Sequence, residues 1–138
     1  MIGLDTNVLA RYYIADASDA EAGLQREAAR RLIESGQSLM ISKTVLLELE
    51  WLMRGYYGLT LEDVHAVLRH VLELPQADVE DRVAVAQAVA NMDAGMDFTD
   101  ALHHASYRTC TAVASFDDRK FARRARRIGL APAVIVPA

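Results

Sequence analysis

Short apolar runs alternate along the chain with longer stretches in which apolar residues recur at helical spacing. The runs predict strands over residues 2–4, 39–41, 112–114 and 133–136. The periodic stretches predict helices over residues 8–13, 21–34, 43–54, 61–72, 79–91 and 118–127, and one more that begins at about residue 99. A chain that alternates short buried strands with longer helices is typical of βαβ units and a parallel sheet.

Helix starts carry recognisable capping signals. Asp5 or Thr6 is a natural cap for the first helix, and Ser42 caps the third. Residues 60–63 and 78–81 each have the form of a capping box, so both segments are predicted to open helices.

These elements predict an α/β fold, a three-layer α/β/α sandwich with a short, mostly parallel central sheet. No repeat, linker or low-complexity tract interrupts the 138 residues, so we expect one domain over residues 1–138. In this architecture functional groups collect outside the carboxyl ends of the strands.

The composition narrows the class of protein. The chain is 52% hydrophobic and contains one cysteine, so no intramolecular disulfide is possible and a reducing, cytoplasmic setting is expected. No signal peptide or apolar run long enough to span a bilayer is visible, so no membrane association is expected. Cys110 is expected in the core, and Trp51, Tyr56 and Tyr57 are expected to be packing residues.

The net charge of −4 is unevenly distributed, because seven of the fifteen basic residues lie between residues 108 and 127. A basic stripe of this kind is typical of a track for a phosphate backbone, although a solvated helix face gives the same pattern. The candidate RNA-binding residues are Arg119, Lys120, Arg123 and Arg127.

Acidic residues are predicted to collect at the carboxyl edge of the sheet. Asp5 and Asp117 directly follow strands, Asp100 lies in the first turn of a helix, and Glu48 lies nearly two turns past another strand. Each acid alone has a simpler explanation as a helix cap or a surface residue, but four elements place an acid at one edge. Three or four carboxylates are the oxygen ligands that Mg²⁺ or Mn²⁺ prefers.

Four segments together resemble a known family. They are an amino-terminal strand that ends in Asp5-Thr6-Asn7, the segment ISKTVLLELE that contains Glu48, the segment DFTDALH that contains Asp100, and Ser115-Phe116-Asp117. In this order they resemble the PIN-domain ribonucleases, and among them the VapC-type toxins of toxin–antitoxin pairs. The resemblance covers essentially the whole chain.

The resemblance implies specific roles. Asp5, Glu48, Asp100 and Asp117 fall on the family's catalytic and metal-binding acids, and Thr6 and Ser115 fall on the supporting hydroxyl positions. Asp97 is a further, peripheral acid in support. The implied activity is a Mg²⁺- or Mn²⁺-dependent endoribonuclease, in which the metal activates a water and holds the scissile phosphate. Implied partners are the RNA substrate, a cognate antitoxin protein and a second copy in a homodimer.

Three other readings compete with this one. A phosphatase of the haloacid-dehalogenase type also opens with a strand ending in Asp. Its chemistry requires a second Asp two positions later, where this chain has Asn7. A receiver-like phosphoacceptor domain needs an Asp at the end of a middle strand, where this chain offers only Glu48 inside a helix. A non-catalytic PIN-like RNA- or protein-binding module would keep the fold without turnover.

Overall fold

A computed structural model describes residues 1–138, which fall into two compact units, Met1–Arg82 and Val83–Ala138. The predicted α/β class with short parallel strands is confirmed. The expectation of one domain over the whole chain stays a prediction. None of the helices combines the length and the apolar composition of a membrane-spanning segment.

The first unit is built on a three-stranded parallel sheet in the order β1-β2-β3. In chain order its elements are β1 (Ile2–Gly3), α1 (Thr6–Tyr13), α2 (Ala20–Ile33), β2 (Leu39–Ile41), α3 (Lys43–Trp51), a π-helical turn (Leu52–Tyr56), α4 (Leu61–Glu73) and β3 (Ala77–Val79). Helix α1 packs against α2 and α3, and α3 packs against α4. The most deeply buried side chains are large aliphatic ones, among them Leu9, Leu39, Ile41, Leu46, Leu49, Leu68 and Val71.

Local caps begin the helices of this unit as predicted. Asp5 caps α1, Ser42 Oγ accepts from the Val45 N–H at the start of α3, and Thr60 Oγ1 accepts from the Asp63 N–H at the start of α4. Each cap satisfies a backbone donor that the first turn of a helix leaves without a partner.

The predicted capping box at residues 78–81 is wrong. Residues 77–79 form β3, whose Leu39↔Ala77 and Ile41↔Val79 pairs extend the sheet beside β2. Ala77 and Val79 are buried and Asp78 between them is exposed, which is the alternation of a strand covered on one face. The helix that follows, α5 (Arg82–Asp93), therefore begins after the strand and its turn.

The second unit continues with α6 (Phe98–Ser106), β4 (Ala112–Ala114), a π-helical turn (Asp118–Ala122), α7 (Arg123–Arg127) and β5 (Ala133–Ile135). Strands β4 and β5 pair in parallel through Ala112↔Ala133 and Ala114↔Ile135. The predicted basic helix is thus a π-helical turn that runs into α7. Cys110 is exposed, so its predicted place in the core is wrong.

Candidate active site

Asp5 stands where the first strand passes into the first helix. Its Oδ1 accepts from the Thr6 N–H at 2.8 Å, and its side chain is exposed while Thr6 is buried. The Leu4 N–H donates to the Met40 carbonyl at 2.9 Å, so the β1–β2 ladder reaches nearly to Asp5. The carboxyl ends of β1 and β2 therefore lie side by side, as predicted for a parallel sheet.

Glu48 lies on the exposed side of α3. The residues of this helix that are buried are Leu46, Leu49 and Glu50, and the turn after it buries Met53. The side chain of Glu48 is exposed, so its carboxylate is accessible to a ligand from solvent.

Further acids at this edge of the first unit were missed from the sequence because they were assigned to a helix cap. Glu80 Oε1 accepts from the Lys43 N–H at 2.8 Å, and the Lys43 ammonium lies 3.1 Å from Asp81 Oδ2. Both carboxylates are thus engaged by the start of α3, which makes them structural partners of that helix rather than additional candidates.

In the second unit, Asp97 and Asp100 occupy the start of α6. Asp97 is the N-cap, and its Oδ2 accepts from the Asp100 N–H at 3.4 Å. Asp100 is half-buried in the first turn, where the partial positive charge of the helix terminus favours an anion. One acid therefore serves the backbone, while the side chain of the other remains available.

Asp117 follows β4 and begins the basic segment. Its Oδ1 accepts from the Lys120 N–H at 2.9 Å, and its own N–H donates to Ser115 Oγ at 3.0 Å. The cap of this turn is thus Asp117, whereas Ser115 holds the backbone of Asp117 in place. Asp118 is engaged elsewhere, in an ion pair with Arg126 at 2.5 Å.

The pKa of Asp100 is raised above its ordinary value. Burial is the main cause, and the negative charges of Asp97 and then Asp117 raise it further, against weaker lowering by His103 and Arg124. The second unit thus brings three predicted acids, Asp97, Asp100 and Asp117, within electrostatic reach of one another. Their charges are not balanced by the neighbouring bases, which is the condition a bound cation relieves.

The basic segment offers charge that is free to bind an anion. Arg119, Lys120, Arg123 and Arg127 are exposed and form no ion pair or hydrogen bond through their side chains. Arg126 differs from them, because its guanidinium is committed to Asp118. The four predicted RNA-binding residues are therefore exposed and uncommitted, whereas Arg124 is half-buried and lowers the pKa of Asp100.

A family model described as PIN domain matches residues 2–127, which is most of the chain. The chain belongs to the PIN domain family. Comparison with curated proteins found no match. PIN domains are generally metal-dependent nucleases and typically use divalent ions such as Mg²⁺.

The PIN acids fit a hard divalent cation by their chemistry, since all four are carboxylates and Asp100 carries the electrostatic cost of its acidic neighbours. Within neither unit, however, are three or more His, Cys, Asp or Glu side chains gathered closely enough to hold a metal ion. The donor type thus fits the family's metal, and neither unit by itself supplies a complete ligand shell.

Two hollows open on the first unit of the PIN domain. One, of about 310 Å³, lies between α1 and α2 and includes Asn7, two residues after Asp5. Its apolar lining consists of Val8, Ala28, Ala29 and Leu32, and its polar lining includes Arg11 and Gln25. The other, of about 450 Å³, is lined by Tyr12, Tyr13, Arg26, Arg30, Glu34 and His70. Neither was predicted, because the way in which helices pack against one another is not visible in the pattern of a single helix.

Proposed function

We propose that this PIN domain is a metal-dependent endoribonuclease and the toxin of a toxin–antitoxin pair, acting in the cytoplasm. Asp5, Glu48, Asp100 and Asp117 are its proposed catalytic and metal-binding residues. The observation that carries the proposal is that two further carboxylates, Asp97 and Asp117, lie near the half-buried Asp100, whose pKa burial and these charges raise against weaker lowering by His103 and Arg124. Membership of a nuclease family supplies the reaction class.

Each proposed residue has a distinct task. A divalent ion, when bound, supplies the Lewis acidity that phosphodiester hydrolysis needs at neutral pH. Asp100 and Asp117 present ligand oxygens from the starts of two helical segments, and Asp5 and Glu48 present theirs from α1 and α3. A carboxylate not needed as a ligand would orient the attacking water by accepting a hydrogen bond from it.

Several groups support these acids. Thr6, buried at the first position of α1, donates its N–H to Asp5, and Ser115 Oγ accepts from the Asp117 N–H. Asp97 fixes the first turn of α6 and adds negative charge beside Asp100. These contacts hold the acids in place before the ligand arrives, which limits the entropy lost on binding.

RNA is the proposed substrate because the segment after Asp117 carries free positive charge. Arg119, Lys120, Arg123 and Arg127 are exposed and unpaired, so they can neutralise backbone phosphates without first breaking an internal ion pair. Their position directly after a proposed catalytic acid brings the backbone track next to the chemistry.

The hollow between α1 and α2 is the proposed seat of an antitoxin segment. Its apolar lining suits one or two aliphatic side chains of a partner, and a segment bound at its Asn7 end would lie near Asp5. An arginine on that segment would complement the carboxylates and block them. The toxin is proposed to act as a homodimer.

A non-catalytic PIN-like module that binds RNA or protein is the second candidate. It is favoured by the fact that neither unit alone gathers three potential metal ligands. Under this reading the basic segment would bind RNA as proposed, and added metal would change neither stability nor RNA length.

One assay tests the proposed function directly. Purified protein is incubated with total RNA in the presence of Mn²⁺, Mg²⁺ or EDTA, and an Asp100→Asn variant is run in parallel. We expect endonucleolytic products only with metal and only from the unchanged protein. RNA that stays intact with both metals, while still shifting in a binding assay, would establish the non-catalytic module instead.

A further inference from the structure

Helix α6 carries two adjacent histidines with opposite surroundings. His104 is 3% exposed, and its Nε2 lies 2.7 Å from the Pro132 carbonyl oxygen, to which it donates because a carbonyl can only accept. Its ring also meets the ring of Phe121 edge to face. His103 is exposed and forms no hydrogen bond, ion pair or ring contact. The fold therefore engages His104 and leaves both ring nitrogens of His103 available.

His103 lies on the same face of α6 as Asp100. The two residues are three positions apart, a spacing that makes side chains neighbours on the surface of a helix. The burial pattern agrees, because Asp100 is half-buried and His103 is exposed, whereas Ala101, Leu102 and Ala105 are buried. The pKa of Asp100, which burial and the neighbouring acids raise, is lowered in part by the charge of His103. The imidazole is thus within electrostatic reach of a proposed metal ligand.

An acid and a histidine at this spacing form a pair that can bind a metal ion. In helical di-iron and di-manganese sites, a carboxylate and an imidazole three positions apart on one helix both face the ion. An imidazole nitrogen adds affinity for a transition ion such as Mn²⁺, whereas Mg²⁺ takes oxygen ligands and keeps several of its waters. A histidine beside the acids is therefore a means of choosing between the two ions.

We infer that His103 is a further ligand of the cation that Asp100 binds, through one ring nitrogen, and that it makes the site prefer Mn²⁺ over Mg²⁺. This inference rests on the proposed function, because it concerns the same ion. Two donors from one helix are part of a ligand shell, which agrees with the finding that three such side chains are not gathered within this unit. The remaining positions belong to other carboxylates and to water.

Mn²⁺ itself reports its ligands, because its unpaired electrons couple magnetically to a directly bonded nitrogen. The protein is loaded with Mn²⁺ in the absence of RNA, and pulsed EPR measures the nitrogen coupling. A second sample, grown with ¹⁵N-labelled histidine, identifies the nitrogen as that of an imidazole. Dissociation constants for Mn²⁺ and Mg²⁺ are measured by titration on the same preparations.

The variants isolate one imidazole. His103→Ala removes the proposed ligand, and His103→Gln keeps a polar side chain without the ring. His70→Ala is the matched control, because His70 is the other exposed histidine of the chain. Asp100→Asn shows which part of the metal binding belongs to the proposed site. Thermal melts without metal check that each variant is folded, as expected for His103 at an exposed position.

We expect nitrogen coupling in the unchanged protein and in His70→Ala, and none in either variant of His103. His103→Ala should raise the dissociation constant for Mn²⁺ by at least about 10-fold, since even outer partners of metal ligands are worth 10- to 100-fold. The dissociation constant for Mg²⁺ should change much less, so the preference for Mn²⁺ falls. Binding by His70→Ala should match that of the unchanged protein.

The outcomes separate this inference from the proposed function. Binding of Mn²⁺ that depends on Asp100, but shows no nitrogen coupling and is equally tight in His103→Ala, would overturn the ligand role and leave the metal-dependent nuclease standing. Coupling that persists in His103→Ala would assign the nitrogen to another residue and overturn the inference. Unchanged metal binding with weakened RNA binding in His103→Ala would make His103 an RNA contact instead. No binding of either ion that depends on Asp100 would overturn both.

Discussion

Glu48 and Glu50 stand two residues apart on α3 and face opposite environments. Glu48 is exposed, whereas Glu50 is 1% exposed and accepts from the Arg54 guanidinium at 2.8 Å through Oε1. The same side chain type is therefore available for chemistry at one position and built into the fold at the other.

This contrast gives a matched pair of substitutions. Glu48→Gln should leave the free energy of unfolding within about 0.5 kcal/mol, as for other exposed positions, and lower RNA cleavage by more than about 100-fold, since even outer partners of metal ligands are worth 10- to 100-fold. Glu50→Gln should cost about 1–3 kcal/mol in stability by weakening a buried, charge-assisted hydrogen bond. Urea unfolding and a cleavage assay on the two variants measure both effects. If Glu50→Gln leaves the stability unchanged and abolishes cleavage, Glu50 is the catalytic carboxylate and the role proposed for Glu48 is wrong.

The raised pKa of Asp100 predicts how stability depends on pH. A carboxyl group whose folded pKa is raised holds its proton more tightly in the folded state, so it lowers stability as pH rises from the ordinary carboxyl range through the folded pKa. The Asp100→Asn protein has no carboxyl group at this position, so it does not lose this stability as the pH rises. Its melting temperature should match that of the unchanged protein in acid and exceed it at neutral pH.

Metal should reverse that difference at neutral pH. Mn²⁺ at 100 times its dissociation constant should stabilise the unchanged protein by about 2.7 kcal/mol and have a much smaller effect on Asp100→Asn. Thermal melts with and without Mn²⁺, at acidic and neutral pH, complete the comparison. If Asp100→Asn unfolds more easily at neutral pH without metal, the charge of Asp100 is an internal structural partner rather than a ligand.

The two functions of Asp97 can be separated by two substitutions. Asp97→Ala removes the oxygen that accepts from the Asp100 N–H and should cost about 0.5–2 kcal/mol, the usual worth of an N-cap. Asp97→Asn keeps an acceptor but removes the charge, so stability should be retained and the pKa of Asp100 should fall toward its ordinary value. Carboxyl titration by NMR and urea unfolding report the two effects. Equal pKa values for Asp100 in the Asn variant and the unchanged protein would rule out the electrostatic contact.

The basic segment contains its own control. Arg123 and Arg127 are exposed, unpaired and four positions apart, so their replacement by Ala should weaken RNA binding and flatten the log–log salt slope by about 0.7 for each lost contact with a single strand. Arg126→Ala should change the slope little, because that guanidinium is paired with Asp118. The cleavage rate at saturating RNA should be nearly unchanged in both variants. An unaltered slope in the Arg123/Arg127 double variant would return this segment to the role of a solvated surface.

Local sequence determined the features that depend on a few adjacent residues. Ser42 and Thr60 begin their helices, and the strands at 39–41 and 112–114 have the predicted bounds. The reason is that a cap satisfies a donor only three residues away, and a short apolar run between turns must be buried wherever the chain places it. Three of the candidate acids, Asp5, Asp100 and Asp117, follow from the same local signals, because each lies directly after a strand or in a first helical turn. Glu48 lies well inside α3 and was proposed from the family resemblance.

Tertiary structure decided what depends on partners far away along the chain. Residues 78–81 satisfy the local pattern of a cap, yet residues 77–79 form β3 because β2 offers them a ladder and a buried face 38 positions away. The pKa of Asp100 is raised mainly by burial, with added contributions from Asp97 and from the distant Asp117, and the exposure of Trp51, which was wrongly expected to be a packing residue, depends on which side of α3 the fold covers. Capping, periodicity and composition are local quantities, whereas pairing, burial and electrostatic coupling are fixed only when distant residues meet.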